Sequence, residues 1–342
     1  MARWKFRPKG LLMATLALLS GCGDGPAEVL LGDYQRRLAE TLDLAAPSPR
    51  SPANIGAFPG RDARLFSVPE IREGFLDVFA LRGCHIANLV AERNNQLGRV
   101  AAPSQRWLYE LSLWRRLSGC WNTEVPATLD EAGRARLARL TRTKTEQLPR
   151  ASWNALFDSS EWVGSFSRAS TPLAPDELGA VDEQLPALAY LREATLHQFD
   201  RRWPPDSATL EGHLQTLQTR PLTAELLRAL MLAAQRLREA SDLLQAELAG
   251  AGTCPVELAG LTNSDEARRL AAWLPRLEDG ARRWLAAIHR LLDAHPVDAP
   301  PAVTAYRRRW LSLEAPEAPW PALVAARQHH EALRESLAQR CR

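Results

Sequence analysis

Two pairs of cysteines straddle two proline-rich breaks, and this placement limits how the chain can fold more than any other feature in it. Cys84 and Cys120 lie equally far from residue 102, inside GRVAAPSQ, where Pro103 is suited to open a helix, because the N–H it lacks would have no partner at a helix start. Cys254 and Cys341 are centred on residues 297 and 298, inside HPVDAPP. If the flanking segments are helical, folding back at each break returns the second cysteine to the level of the first. Four cysteines allow three pairings, and the hairpin rule selects Cys84–Cys120 and Cys254–Cys341. It also sets Pro275 opposite Pro319 and Pro321. Loop entropy gives each cross-link about 4 kcal/mol.

Disulfides need an oxidising compartment, and the first residues address the chain to one. Arg3, Lys5, Arg7 and Lys9 precede an apolar run from Leu11 to Leu19, with no acidic residue before Asp24. A membrane-spanning helix needs about 20 apolar residues, so this run is a secretory signal rather than a span. Leu19-Ser20-Gly21-Cys22 resembles the lipobox of bacterial lipoproteins. That resemblance implies a diacylglyceryl group on the Cys22 thiol, cleavage after residue 21 and acylation of the new amino end. Two or more acyl chains hold a protein stably on a bilayer. Gly23, where an aspartate is the usual inner-membrane retention signal, favours the outer membrane facing the periplasm, with Asp24 one place later. A helical pattern starts near Pro26, so the tether of about four residues reaches at most ~14 Å.

The chain's net charge is +3, but four positive charges fall within residues 1–21, which leaves −1 for residues 22–342. Such a balance gives no electrostatic footprint for nucleic acid. Lysine occurs only at positions 5, 9 and 144 while arginine is frequent, which reads as coding bias rather than a binding surface.

The mature segment reads as helix after helix. Val29, Leu30, Tyr34, Leu38 and Leu42 recur at three- and four-residue steps over 26–45, the mark of an amphipathic helix. Residues 46–66 lack that period and read as an extended connection. Helices are expected over 69–96, bent at Gly83, and over 103–121. On the second, Trp107, Trp114 and Trp121 share a face because seven residues are close to two turns. Further patterns cover 128–148, 174–200, 207–219, 222–250, 263–294, 300–314 and 319–340, with Thr223 as N-cap of 222–250. No period-two strand pattern or Asn-Gly hairpin signal is present. The expected fold is all-α: antiparallel helical hairpins in a multi-helix bundle braced by two disulfides, divisible into 22–200 and 201–342.

Three stretches carry a family resemblance. AERNNQLGRVAAPSQRWLYEL (91–111) and WNALFDSSEWVGSFS (153–167), together with the lipobox, resemble Gram-negative lipoproteins grouped as domain of unknown function 3080. The first stretch is the most distinctive, with Glu92-Arg93-Asn94 followed by Pro103-Ser104-Gln105-Arg106. The resemblance implies a helical, secreted, lipid-anchored protein and supplies no activity.

Two surfaces are candidates for recognition. The tip of the 84–120 hairpin gathers Glu92, Arg93, Asn94, Asn95, Gln96, Gln105, Arg106 and Glu110. Its arginines offer fork-shaped donors to a carboxylate or phosphate, although a solvated turn with an Arg106–Glu110 pair would use the same residues. Trp153, Trp162 and Phe166 stand in a less regular segment and are candidates for a groove that takes a glycan or lipid. Enzyme signatures are absent: no H-E-x-x-H, G-x-S-x-G, P-loop or Rossmann glycine pattern occurs. His329 and His330 are adjacent, so on a helix they point about 100° apart and cannot share a metal. No catalytic residue, metal or cofactor is expected. The leading expectation is a component that binds an envelope protein partner, and the second is an envelope enzyme or carrier acting on a glycan or lipid.

Overall fold

A computed structural model describes residues 24–48, 50–71, 73–204, 206–250, 254 and 264–341. The signal segment and Cys22 lie outside the described residues. In chain order the helices are α1 (Pro26–Thr41), α2 (Arg61–Arg64), α3 (Phe75–Ala80), α4 (Ala87–Asn94), α5 (Gln96–Arg99), α6 (Pro103–Cys120), α7 (Val125–Thr128) and α8 (Glu131–Phe157). There follow α9 (Ser160–Gly164), α10 (Ala180–Leu196), α11 (Ser207–Gln218), α12 (Leu222–Ala249), α13 (Asp265–Asp293), α14 (Pro301–Tyr306) and α15 (Pro319–Arg340). The fold is all-α, with no strand among the described residues.

Local chemistry sets several helix starts. Pro26 and Pro103 occupy the first helical positions of α1 and α6. Asp130, Asp206 and Ser264 accept the N–H groups of Gly133, Thr209 and Ala267 at the starts of α8, α11 and α13, which satisfies donors the helix itself leaves open. Thr223 is not a cap. α12 begins one residue earlier, and the buried Thr223 hydroxyl meets Ser165 Oγ at 2.7 Å and Trp284 Nε1 at 2.9 Å.

α12 is the axis of the main core. Ala224, Leu226, Leu227, Leu230, Leu232 and Leu237 are all buried, and they point to most sides of the helix, as expected of one enclosed by others. α1 crosses it where Gln35 Nε2 donates to Arg236 O at 2.9 Å. α15 runs beside α12 in the same direction: Ser241 meets His330, and further along both helices Arg340 donates to Leu248 O. α13 meets α15 in the opposite sense, because residue 254 pairs with 341 while Glu278 pairs with Trp320 and Arg327. One large cluster of buried side chains continues across residue 200, from Leu30 through Trp107 and Leu188 to Leu323. A smaller cluster surrounds Cys84 and Cys120 with Leu81, Ile86, Leu113, Leu117, Leu137 and Leu140.

Both expected disulfides are present, with Cα–Cα separations of 5.2 Å for Cys84–Cys120 and 5.5 Å for Cys254–Cys341. The hairpin arms differ from expectation in one place. Residues 69–96 do not form a single helix but the short α3, a 3-10 turn Arg82–Cys84, and α4. His85 breaks the run by adopting a left-handed conformation (φ 57°), rare for a residue with a side chain. The break near 148 is missing instead. α8 continues through Pro149 to Phe157, although proline removes one ladder hydrogen bond there. The expected helix over 300–314 ends early, in a π-type turn Arg307–Leu311.

Candidate functional site

The hairpin closed by Cys84–Cys120 borders an open cleft of about 960 Å³. Three walls make it. α6 contributes Arg106, Glu110, Leu113 and Leu117 at positions i, i+4, i+7 and i+11, a spacing that keeps them on one stripe. α8 lies antiparallel to α6, since Trp107 Nε1 donates to Ser152 Oγ at 2.7 Å while Trp121 Nε1 donates to Thr141 Oγ1 at 3.0 Å. It supplies Leu140, Lys144 and Gln147. The third wall is the connection from Leu65 to Glu73, held by Gln147 Nε2 donating to Pro69 O at 2.9 Å. Across the open end stand Arg93 and Asn94 of α4 and Arg99 of α5.

The acidic side chains of the cleft are engaged. Glu110 holds Lys144 Nζ at 2.7 Å, and Asp158 accepts two N–H groups of Arg61 at 2.9 and 2.8 Å. Glu73 is paired with Arg136 and Arg139 of α8, and Glu70 also has a partner. The arginines of the rim are different. Arg93 Nη1 donates to Gly98 O at 2.6 Å, Arg99 Nε to Asn94 O at 3.1 Å and Arg106 Nε to Ala101 O at 2.8 Å. None of the three has a carboxylate partner among the described residues. A guanidinium carries five N–H donors, so each retains capacity for an anionic group. The Arg93 guanidinium sits 5.9 Å from the Tyr109 ring. Burial, with the Glu110 carboxylate beside it, pushes the Tyr109 phenol up to about 12, so it stays protonated at neutral pH.

The tip is built tightly. Asn95 Oδ1 accepts Gly98 N–H at 2.8 Å and caps α5. A side-chain carbon on Gly98 would stand 2.2 Å from Glu92 O and 2.6 Å from Arg93 O, so only glycine lets α5 fold back onto α4.

Of the residues expected at the tip, Arg93, Asn94, Arg106 and Glu110 line the cleft together. Glu92, Asn95 and Gln96 are exposed beside it. Gln105 turns away, donating to Glu211 Oε1 at 2.7 Å on α11. The expected Arg106–Glu110 pair is replaced by Glu110–Lys144. Arg99, Tyr109 and Lys144 also belong to the site. Arg99 lay inside the distinctive stretch 91–111 and carried the same signal as its neighbours, whereas Lys144 depends on the register of α8 against α6.

The aromatic groove is overturned. Trp153 is 0% exposed, Trp162 3% and Phe166 2%, and all three belong to the main core. Trp153 lies within α8, its Nε1 donating to Arg64 O at 2.8 Å, because the helix does not stop at Pro149. These rings cannot stack on a ligand. On the shared face of α6, Trp107 and Trp114 are buried and Trp121 is 38% exposed.

The two adjacent histidines part as expected. His329 faces Gln245 Nε2 at 3.0 Å, while His330 is buried between Tyr34 OH at 2.6 Å and Ser241 Oγ at 3.2 Å. Ser241 Oγ donates to Leu237 O at 2.7 Å, so it accepts from His330 Nδ1, and Nε2 accepts from the Tyr34 hydroxyl. This tautomer leaves no base for the serine, and the trio is a structural bond chain rather than a nucleophile. No group of three metal-ligating side chains occurs among the described residues.

Fold and site thus define a class: a disulfide-braced helical protein with an arginine-rimmed cleft. The chain belongs to the family of proteins of unknown function DUF3080, whose sequence model matches residues 31–342. No curated protein and no solved structure matches it.

Proposed function

We propose that this protein is a non-catalytic binding component of the Gram-negative cell envelope, anchored through lipid on Cys22 at the periplasmic face of the outer membrane. It recognises an envelope partner through the cleft at the hairpin tip. The observation that carries this reading is the gathering of Arg93, Arg99 and Arg106, with no carboxylate partner among the described residues, around a cleft of about 960 Å³. Accessible arginines with free donors are suited to bidentate capture of carboxylate or phosphate. The address rests on the basic start, the short apolar run and Leu19-Ser20-Gly21-Cys22. No described helix is long and apolar enough to cross a membrane. The apolar floor of Leu113, Leu117 and Ile86 favours a lipid over a glycan where the occupant is not a protein.

A photo-crosslinking residue at Asn94 tests this in cells making the full chain. Asn94 lines the cleft, its backbone carbonyl accepts from Arg99, and its side chain has no hydrogen-bond partner among the described residues. The expected result is one discrete adduct, lost in Arg106→Gln. Adducts that are diffuse, or unchanged by Arg106→Gln, would reduce the tip to a solvated turn.

A further inference from the structure

The cleft is graded along its length. On α6 the lining side chains pass from Arg106 and the Lys144-bound Glu110 to Leu113 and Leu117, near the Cys84–Cys120 bond. Eleven residues at ~1.5 Å each make this run ~16 Å long. Cationic donors with spare capacity stand at one end, and the other is mainly apolar, its Glu73 neutralised by Arg136 and Arg139. A matching occupant carries its charge at one end and a long apolar tail at the other.

The surroundings of the mouth point the same way. Nine large apolar side chains are exposed among the described residues, and five of them, Phe75, Leu76, Phe79, Leu97 and Val100, fall between 75 and 100 at 50–81% exposure. They belong to α3, at the disulfide end of the opening, and to α5 with its C-terminal flank, at the arginine end, and Val78 and Arg99 of these short helices line the cleft. Apolar side chains interspersed with arginines suit the interface of an anionic bilayer. An acidic peptide fits less well, because its backbone N–H and C=O groups would need partners along the whole length, and Ile86, Val90, Leu113 and Leu117 offer none.

Resting on the proposed recognition role of the tip, we propose that the cleft takes an anionic phospholipid from the bilayer, its phosphate held by Arg93, Arg99 and Arg106 and an acyl chain laid along α6. The five exposed apolar side chains enter the interface and bring the mouth to the lipid. The arginines select the headgroup charge, and the leucines accept the chain.

The test uses the full chain in detergent, titrated with pyrene-labelled phosphatidylglycerol and read by energy transfer from tryptophan. Saturable binding is expected, displaced by unlabelled phosphatidylglycerol and at least ~10-fold less well by phosphatidylcholine or oleate. Loss of charge-assisted hydrogen bonds should weaken binding by ~10-fold per arginine. Arg93→Gln/Arg106→Gln should therefore bind ~100-fold more weakly at an unchanged urea midpoint. Should that double variant unfold because Arg93 ties down Gly98 O, Arg99→Gln carries the same comparison at ~10-fold. Absent or non-saturable binding, equal displacement by phosphatidylcholine or oleate, or unchanged affinity in the folded variants would overturn the proposal. A discrete protein adduct from Asn94 without lipid binding would overturn the lipid alone and leave recognition standing, whereas failure of both experiments removes both.

Discussion

Two of the chain's seven histidines are buried where a positive charge has nothing to meet, so acidification from pH 7 to 5 should weaken the fold. His295 is 7% exposed, wedged between the Trp153 and Phe157 rings, and neither ring nitrogen has a hydrogen-bond partner among the described residues. Burial lowers it to about 3. His330, 3% exposed, is lowered to about 3 by burial, with Arg334 and His329 adding to the effect. Unfolding restores both to roughly 6.5. Below that value the unfolded chain binds protons that the native one refuses, so stability is intact above about 6.5 and falls as the pH drops toward 3. Each group costs about 1.4 kcal/mol per pH unit, or about 2 kcal/mol each at pH 5 and about 4 together. Against a typical total of about 5–15 kcal/mol, that is a large share. Carboxylates held low, such as Asp293 by Arg307 and Asp279 by Arg282, titrate below this window. His289, lowered by burial, acts in the same direction.

Urea unfolding followed by tryptophan fluorescence at pH 7 and 5, at fixed ionic strength and with disulfides intact, measures the difference. His295→Leu and His330→Gln should each remove about half of it. Equal stability at the two pH values, or a pH dependence undiminished by both substitutions, would refute the burial argument.

Replacing Cys84 and Cys120 together by serine should cost at most about 4 kcal/mol, from a loop of 36 residues. Hydrogen exchange should rise first around Leu81, Ile86 and Leu137, while amides of α12 stay protected. Gly98→Ala should disorder the junction of α4 and α5, because the added carbon meets two backbone carbonyls. The cost of such overpacking is about 1–3 kcal/mol, read as a lower urea midpoint together with loss of the Asn94 adduct.

Much of the fold was legible because amphipathic periods and proline breaks act locally. α12 and α13 fall within a residue or two of their expected bounds. The hairpin rule reached both disulfides because it needed only chain length on either side of a break. The misreadings share a cause: a tertiary contact overrode a local signal. Pro149 looks like a stop, yet Leu148, Ser152 and Trp153 on either side of it are buried, and the helix holds. Thr223 looks like a cap, yet its hydroxyl is needed by Trp284 and Ser165. His85 gives no sign of its left-handed turn, which the hydrogen bond from Arg116 to its carbonyl accompanies across the hairpin. In the cleft, Arg93 and Arg106 were visible from their place at a tip, but that Arg106 has no carboxylate partner among the described residues depended on Lys144 claiming Glu110. That register is a property of packed helices, not of either segment.

The disulfide pattern has a consequence for the order in which the molecule is made. Each bridge joins a cysteine to the next one along the chain after residue 84. A polypeptide oxidised as it emerges, amino end first, would therefore reach the native pairs by coupling each new thiol to the one waiting, and an isomerase would have nothing to undo. Cys254 waits until residue 341 appears, so α12 keeps an open side until α15 has been made. Cys22 is the one thiol that would spoil this sequence, since it would greet Cys84 first. Acylation of Cys22 would thus remove a competitor as well as fasten the chain.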